Sequence, residues 1–243
     1  MKKFLKWIGI LIGILLLIGL VLFLVFNKKE PTGTKGAAAE ALTQKMFKAI
    51  DKTAWDSTHY VQWSFAGMNH YVWDKEKHLV EVEWGNKRII LNPNEISGKA
   101  YKDNVLVEGN AGDKLVKKAW SNFCNDSFWL NAPAKAMDPG TERSIVKLDD
   151  GSEALKVKYS SGGVTPGDAY LWILDENSLP KSWQMWTQII PVGGVEFGWN
   201  DWKKTSTGAM LSTLHKGVFD LKIENVKTGQ SLAEMGISKN PFE

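Results

Sequence analysis

The sequence predicts a mainly β (α+β) body of about ten antiparallel strands wrapped on two helices, preceded by one transmembrane helix. Three observations carry this. Residues 7–26 form a run of 20 residues without a charge. From residue 61 onward, apolar residues recur mostly with a period of two. Strand and helix patterns do not alternate, so a doubly wound parallel sheet is excluded.

The apolar run comes first. At about 1.5 Å per residue it spans roughly 30 Å, the thickness of a bilayer's hydrocarbon core. Trp7 stands at its edge, where an indole keeps its N–H in contact with water. A cleaved signal peptide has a shorter apolar core, of about 7–15 residues, that ends at a small-x-small site. Here the run is followed by Asn27-Lys28-Lys29-Glu30-Pro31, and the nearest small cluster, Ala37-Ala38-Ala39, lies well beyond it. An uncleaved anchor at 7–26 is expected, after a basic segment at 1–6. Lys2, Lys3 and Lys6 against Lys28 and Lys29 bias the N-terminus to the cytoplasm. The body then lies on the far side of the cell membrane, which is the periplasm in a Gram-negative envelope.

Charge narrows the partners. The chain has 30 Lys and Arg and 27 Asp and Glu. Three of the bases precede residue 7, so the body is neutral, which argues against a nucleic-acid partner. With one cysteine, Cys124, no internal disulfide can form, so a hydrophobic core must hold the fold.

Along the body, residues 27–36 (NKKEPTGTKG) read as a polar linker, and a single domain follows over 37–243. Leu42, Met46, Phe47, Ile50 and Trp55 recur near helical spacing, which predicts an amphipathic helix over 37–54. The period then becomes two. Val61, Trp63 and Phe65 alternate with polar residues, Tyr71 and Trp73 follow, and Val80, Val82 and Trp84 alternate with Glu81 and Glu83. Ile89, Ile90 and Leu91 continue this meander, with turns at 74–76 and 85–86. Leu115, Val116, Ala119, Trp120 and Phe123 predict a second helix over 110–123, and 132–139 reads as a loop. Later strands are expected at Leu155–Val157–Tyr159, at Tyr170–Trp172–Leu174 (apolar on both faces), at Trp183–Met185, at Val195–Phe197–Trp199 and at Phe219–Leu221–Ile223. Hairpin turns are expected at 149–151 and 175–177. Residues 160–168 (SSGGVTPGD) lack the Lys-Ser/Thr ending of a phosphate loop and read as a long hairpin loop with the reach of a lid.

The body holds eleven of the twelve tryptophans. A closed core of this size is hard to fill with so many indoles, whereas a curved open cavity can use them as flat walls for an apolar guest. The residues expected to line it are Trp63, Tyr71, Trp73, Val82, Trp84, Trp172, Trp183, Met185, Phe197 and Trp199. Chemistry has weaker signals. His59, His70, His78 and His215 stand at no metal-ligand spacing, so neither a metal nor another cofactor is expected. Cys124, Asp126 and His215 could be assembled into a nucleophile and base, but no catalytic signature surrounds Cys124.

Three segments carry a resemblance: Phe123-Cys124-Asn125-Asp126-Ser127-Phe128-Trp129-Leu130-Asn131-Ala132-Pro133, Met137-Asp138-Pro139-Gly140 and Gly163-Val164-Thr165-Pro166-Gly167-Asp168. They resemble a group of uncharacterised bacterial exported or membrane-anchored proteins. The order of elements, with Tyr71-Val72-Trp73-Asp74 and Leu171-Trp172-Ile173-Leu174-Asp175, is similar to the Lol-type periplasmic lipoprotein-carrier fold. That resemblance implies a half-barrel that wraps helices around an acyl-chain cavity. Two departures stand against a full match: such carriers are soluble or lipid-anchored, and their partner surface has no counterpart here. The sequence therefore points to a non-catalytic, membrane-anchored binding protein for a hydrophobic ligand, such as a lipid or lipoprotein acyl chain. The alternatives are an envelope assembly protein that grips another protein, and a hydrolase built on Cys124 and His215.

Overall fold

The computed structural model describes residues 27–243, together with Phe4, Trp7, Gly13, Phe23 and Phe26 of the preceding stretch. The basic segment at 1–6 and the anchor at 7–26 therefore lie outside the described residues apart from these isolated positions.

The body is mainly β, with fourteen strands in two antiparallel sheets. β1 (Tyr60–Phe65), β2 (Asn69–Asp74), β3 (Leu79–Trp84), β4 (Lys87–Asn92), β5 (Ser97–Lys102) and β6 (Val105–Val107) form a meander. β12 (Asn200–Lys204), β13 (Met210–His215) and β14 (Leu221–Gly229) join it through a β14–β1 pair, giving nine strands in the order β12-β13-β14-β1-β2-β3-β4-β5-β6. The second sheet holds β7 (Thr141–Lys147), β8 (Glu153–Tyr159), β9 (Ala169–Leu174), β10 (Pro180–Trp186) and β11 (Val195–Gly198), in the order β11-β10-β9-β8-β7. The sheets do not close into a barrel. A single residue, Trp199, separates β11 of one sheet from β12 of the other; the sheets also meet there through Gly198 N–H to the Lys216 carbonyl (2.6 Å) and Trp202 Nε1 to the Pro180 carbonyl (3.0 Å).

The expectation of about ten strands in one curved sheet is corrected to fourteen in two. β5 was not foreseen because Ser97-Gly98-Lys99-Ala100-Tyr101-Lys102 buries only Ala100, so it shows no apolar period. β12 has Asp201, Lys203 and Lys204 for the same reason. The last strand begins at Leu221, and Phe219 is exposed in the preceding turn.

The predicted first helix is two helices, α1 (Ala37–Ala49) and α2 (Lys52–Ser57). Asp51 breaks them: it takes a left-handed conformation (φ 50°) and its carboxylate accepts the Ala54 N–H at 3.2 Å, capping α2. α3 runs over Gly109–Asn131, eight residues beyond the predicted end at 123, and a 3-10 turn, Ala132–Lys135, follows within the predicted loop. Gly112, Val116, Ala119, Phe123, Ser127 and Leu130 are buried at spacings of three and four, one continuous stripe of this helix.

That stripe lies between the sheets. Phe123 meets Trp63, Tyr71 and Trp73 of the large sheet at centroid distances of 6.2, 6.3 and 5.1 Å. One turn on, Phe128 stacks on Trp183 of the small sheet at 5.7 Å, and Trp129 meets Trp183 and Phe197 edge-on at 4.9 and 5.1 Å. Between these clusters, buried Asp126 accepts hydrogen bonds from Tyr71 Oη (2.5 Å), Asn69 Nδ2 (2.7 Å) and Asn125 Nδ2 (2.8 Å). Burial pushes its carboxyl above the ordinary carboxylate range despite these donors.

Residues 27–35, read as a linker, form a strap across the outer face of the small sheet. Lys28 N–H donates to the Gly193 carbonyl (2.9 Å), and Trp186 Nε1 donates to the Lys28 carbonyl (2.8 Å). Glu30 pairs with Lys156 (3.0 Å) and Lys158 (3.3 Å), and Thr34 makes a two-bond antiparallel bridge with Ile145 at the β7 edge. Gly33 allows the approach, because a β-carbon there would collide with the Ser144 side chain and the Ile145 carbonyl.

Two outcomes are expected. Gly33→Leu should lift the strap, so that trypsin cuts at Lys28, Lys29 or Lys35 at least tenfold faster while the core melts within a few degrees of the parent; unchanged protection would contradict the strap. Asp126→Ala strands the buried Tyr71 hydroxyl and the half-buried Asn69 amide, and should cost about 3 kcal/mol in urea unfolding. A loss below about 1 kcal/mol would mean that the network holds nothing together.

Candidate functional site

The structure has an apolar cavity of about 340 Å³ between the C-terminal half of α3 and the inner face of the small sheet. One wall is helical. Phe123 and Phe128 project large rings, but Cys124 and Ser127 between them are small, so the helix stands back from the sheet here. The opposite wall is the alternating inner face of β8, β9 and β10, which presents Tyr159, Tyr170, Trp183 and Met185. Tyr159, Tyr170 and Phe128 pack as a triad at 5.0–5.7 Å.

The mouth is built from two hairpin loops, 160–168 between β8 and β9 and 187–194 between β10 and β11. Buried Asp168 ties them together: it accepts from Thr165 Oγ1 (2.6 Å) in its own loop and from the Gln188 N–H (3.0 Å) in the other. The Gln188 side chain donates to the Pro166 carbonyl. Beside the 160–168 loop, whose Ser160 N–H donates to the Gly140 carbonyl at 2.8 Å, Lys135 and Asp138 pair at 2.8 Å and are both part-exposed. Apart from these three residues the lining is uncharged.

Two hydroxyls on the lining, Tyr159 Oη and Thr187 Oγ1, are buried with no hydrogen-bond partner among the described residues. Burial, with the neighbouring Tyr170, pushes the Tyr159 hydroxyl well above the ordinary tyrosine value, so it stays a neutral donor. A buried hydroxyl left unpaired costs roughly 1–3 kcal/mol.

Of the ten residues expected to line a cavity, Trp183 and Met185 do so here. Trp63, Tyr71 and Val82 are buried on the inner face of the large sheet against α3. Trp73 and Trp84 are half-buried on the same side. Trp172 and Trp199 are buried against Trp183, with centroids 4.9–5.1 Å apart, and Phe197 packs on Trp129. The cavity residues that periodicity missed (Cys124, Ser127, Phe128, Tyr159, Tyr170 and the two loops) carry a different signal. All three segments that bear the family resemblance, 123–133, 137–140 and 163–168, converge on this one space.

The histidines are dispersed. His70 Nδ1 lies 2.8 Å from Ser64 Oγ, and among the described residues no three His, Cys, Asp or Glu side chains come together as a metal site. His215 is fully buried between Trp129 and Trp199, with Nδ1 3.2 Å from the Gly198 carbonyl, and it is not part of the cavity lining. Burial pushes its imidazole down to about 4, which keeps it neutral and a weak base. Cys124 faces the cavity, and burial pushes its thiol up to about 11. Both shifts work against a thiolate nucleophile.

The consequence is measurable. At pH 8 only about one thiol in a thousand is ionised at that value, so iodoacetamide should alkylate Cys124 far more slowly than a free cysteine, with the rate climbing past pH 10. Fast alkylation at pH 7 on folded protein would show an activated thiol.

No protein-family model matches the chain, and no curated protein matches it. Among solved structures the chain is similar to the crystal structure of a DUF1329 family protein from Desulfovibrio piger. The two are 10% identical with a TM-score of 0.42, over 81% of this chain and 96% of that one, a likeness too distant to carry an argument.

Proposed function

We propose that the protein is a membrane-anchored, extracytoplasmic binding protein that holds one hydrophobic guest, a lipid or lipoprotein acyl chain, between α3 and the small sheet, and does no chemistry on it. The observation that carries this reading is the cavity itself. This cavity of about 340 Å³ is open at its mouth and lined mainly by aromatic and apolar side chains, whereas other clefts of similar or larger size on the body have markedly more polar linings. It stands at the lower end of the roughly 300–1,000 Å³ typical of ligand sites, which suits a single chain better than a multiply acylated lipid. The aromatic walls supply apolar contact. The part-exposed Lys135–Asp138 pair on the lining offers partners to the polar end of an amphiphile.

The Lol-type carrier resemblance also implies an acyl site, although there one sheet wraps the helices and here the site lies between α3 and the smaller of two sheets. The anchor at 7–26 makes this a tethered version, suited to binding or local hand-over. The hydrolase alternative has little to support it, given the environments of Cys124 and His215.

The reading is tested on the soluble part, residues 27–243, titrated with fatty-acyl probes of graded length while tryptophan emission is followed. Saturable quenching is expected, weakened at least tenfold by Cys124→Phe, which fills the cavity, and little changed by Cys124→Ala. A flat titration at every length, on protein with a cooperative melt, would leave the cavity unexplained by a lipid and favour the envelope-assembly alternative.

A further inference from the structure

We propose that the cavity opens directly onto the lipid bilayer, with loops 160–168 and 187–194 resting in the membrane interface beside the point where the chain enters it. This rests on the reading of residues 7–26 as an anchor, and it adds the orientation of the body and the source of its guest.

The first support is covalent reach. The apolar run ends at Phe26, and the very next residues are fastened to the cavity's mouth. Gly193 N–H donates to Asn27 Oδ1 at 2.8 Å, Lys28 N–H donates to the Gly193 carbonyl at 2.9 Å, and Trp186 Nε1 donates to the Lys28 carbonyl at 2.8 Å. Gly193 is required for this closeness, because a β-carbon there would strike the Lys28 carbonyl and the Trp186 ring. Consecutive α-carbons are about 3.8 Å apart, so the 187–194 loop has only one or two residues of slack from the end of the apolar run. The strap then continues to Glu30 and Thr34 along the outer face of the small sheet, so residues 27–34 are fastened to the body and add no free tether after the apolar run.

The second support is the chemistry of the two loops. Ile189-Ile190-Pro191-Val192 is an unbroken apolar run outside any strand, with Ile189 68% exposed, and Val164 in the other loop is 42% exposed. Across 160–168 and 187–194 the one charged residue is Asp168, which is buried, although 23% of the chain is charged and about four charges would be expected over seventeen residues. Exposed apolar runs of this kind are a liability in water and an asset at an interface. Lys28 and Lys29 stand at the junction, where they favour anionic head groups, and Trp186 is a residue type that settles at this depth.

The third support is that these same residues, Val164, Thr165, Ile189 and Ile190, line the cavity. A chain that leaves the membrane between the two loops would enter the cavity without crossing water.

The test uses the full chain carrying Cys124→Ala, reconstituted into phosphatidylethanolamine/phosphatidylglycerol vesicles. Single cysteines replace Val164, Ile189 or, as a reference, Ile96, which is exposed at the β4–β5 turn and outside the cavity lining. Each is labelled with a nitroxide, and its collisions with oxygen, which concentrates in lipid, and with a water-soluble nickel chelate are measured. At 164 and 189 the nickel collision rate should fall at least fivefold below that at 96, and the oxygen rate should rise. Nickel access equal to that at 96 would overturn the proposal. So would shielding from both reagents, which would mean that protein covers the loops. No guest is needed in the cavity, so a flat acyl titration and a water-exposed mouth are separate failures. A chain that does not insert into vesicles would refute the anchor and this orientation together.

Discussion

One helix sets the terms for everything else. α3 is wedged between two sheets that meet along one edge near Trp199, and both sheets close on its rings. Phe123 serves the large sheet, and Phe128 and Trp129 serve the small one. Buried rings of this size dominate core energetics, each pair adding about 0.5–1.5 kcal/mol beyond its area. The Asp126 carboxylate, held by Tyr71, Asn69 and Asn125, fixes how the helix is rotated between the sheets. The cavity is a by-product of the same helix. Where its side chains shrink to Cys124 and Ser127 between large neighbours, the small sheet cannot follow, and a space remains.

The tryptophans have a double role. Trp172, Trp183 and Trp199 form a mutual cluster, and their indole N–H groups, like those of Trp63 and Trp73, lack hydrogen-bond acceptors among the described residues. Their rings lie 4.9–6.4 Å apart in tilted and edge-on arrangements, in which an N–H···π contact would offset part of that cost. A wall built of such a cluster is stiff, which keeps an empty cavity from collapsing.

Much of this was legible in the sequence, and the failures have physical causes. The mainly β class, the meander from 60 to 92 and the two-faced strand around Trp172 follow from strict period-two patterns on well-buried strands. The extension of α3 beyond 123 was hidden by Asn125, Asp126, Ser127 and Asn131, which are poor helix formers kept there because they bond or pack in the interior. The strap was hidden because its partners are charges and backbone groups on distant strands, and a polar stretch held by Glu30–Lys156 and Thr34–Ile145 has no local signature. For the cavity, counting indoles located the aromatic core, while small residues in α3 and two loops without an exposed charge mark the space itself. Spacing along one chain does not reveal where a wall is thin.

The account stands or falls on what occupies the space between Phe128 and Trp183. The most direct measurement is anomalous X-ray scattering from crystals of the protein grown with a terminally brominated fatty acid. A bromine peak inside the cavity, with electron density for the chain running from there toward the mouth between Val164 and Ile189, is the result the account expects. Bromine found only at the surface, with the cavity unchanged at saturating fatty acid, would contradict it.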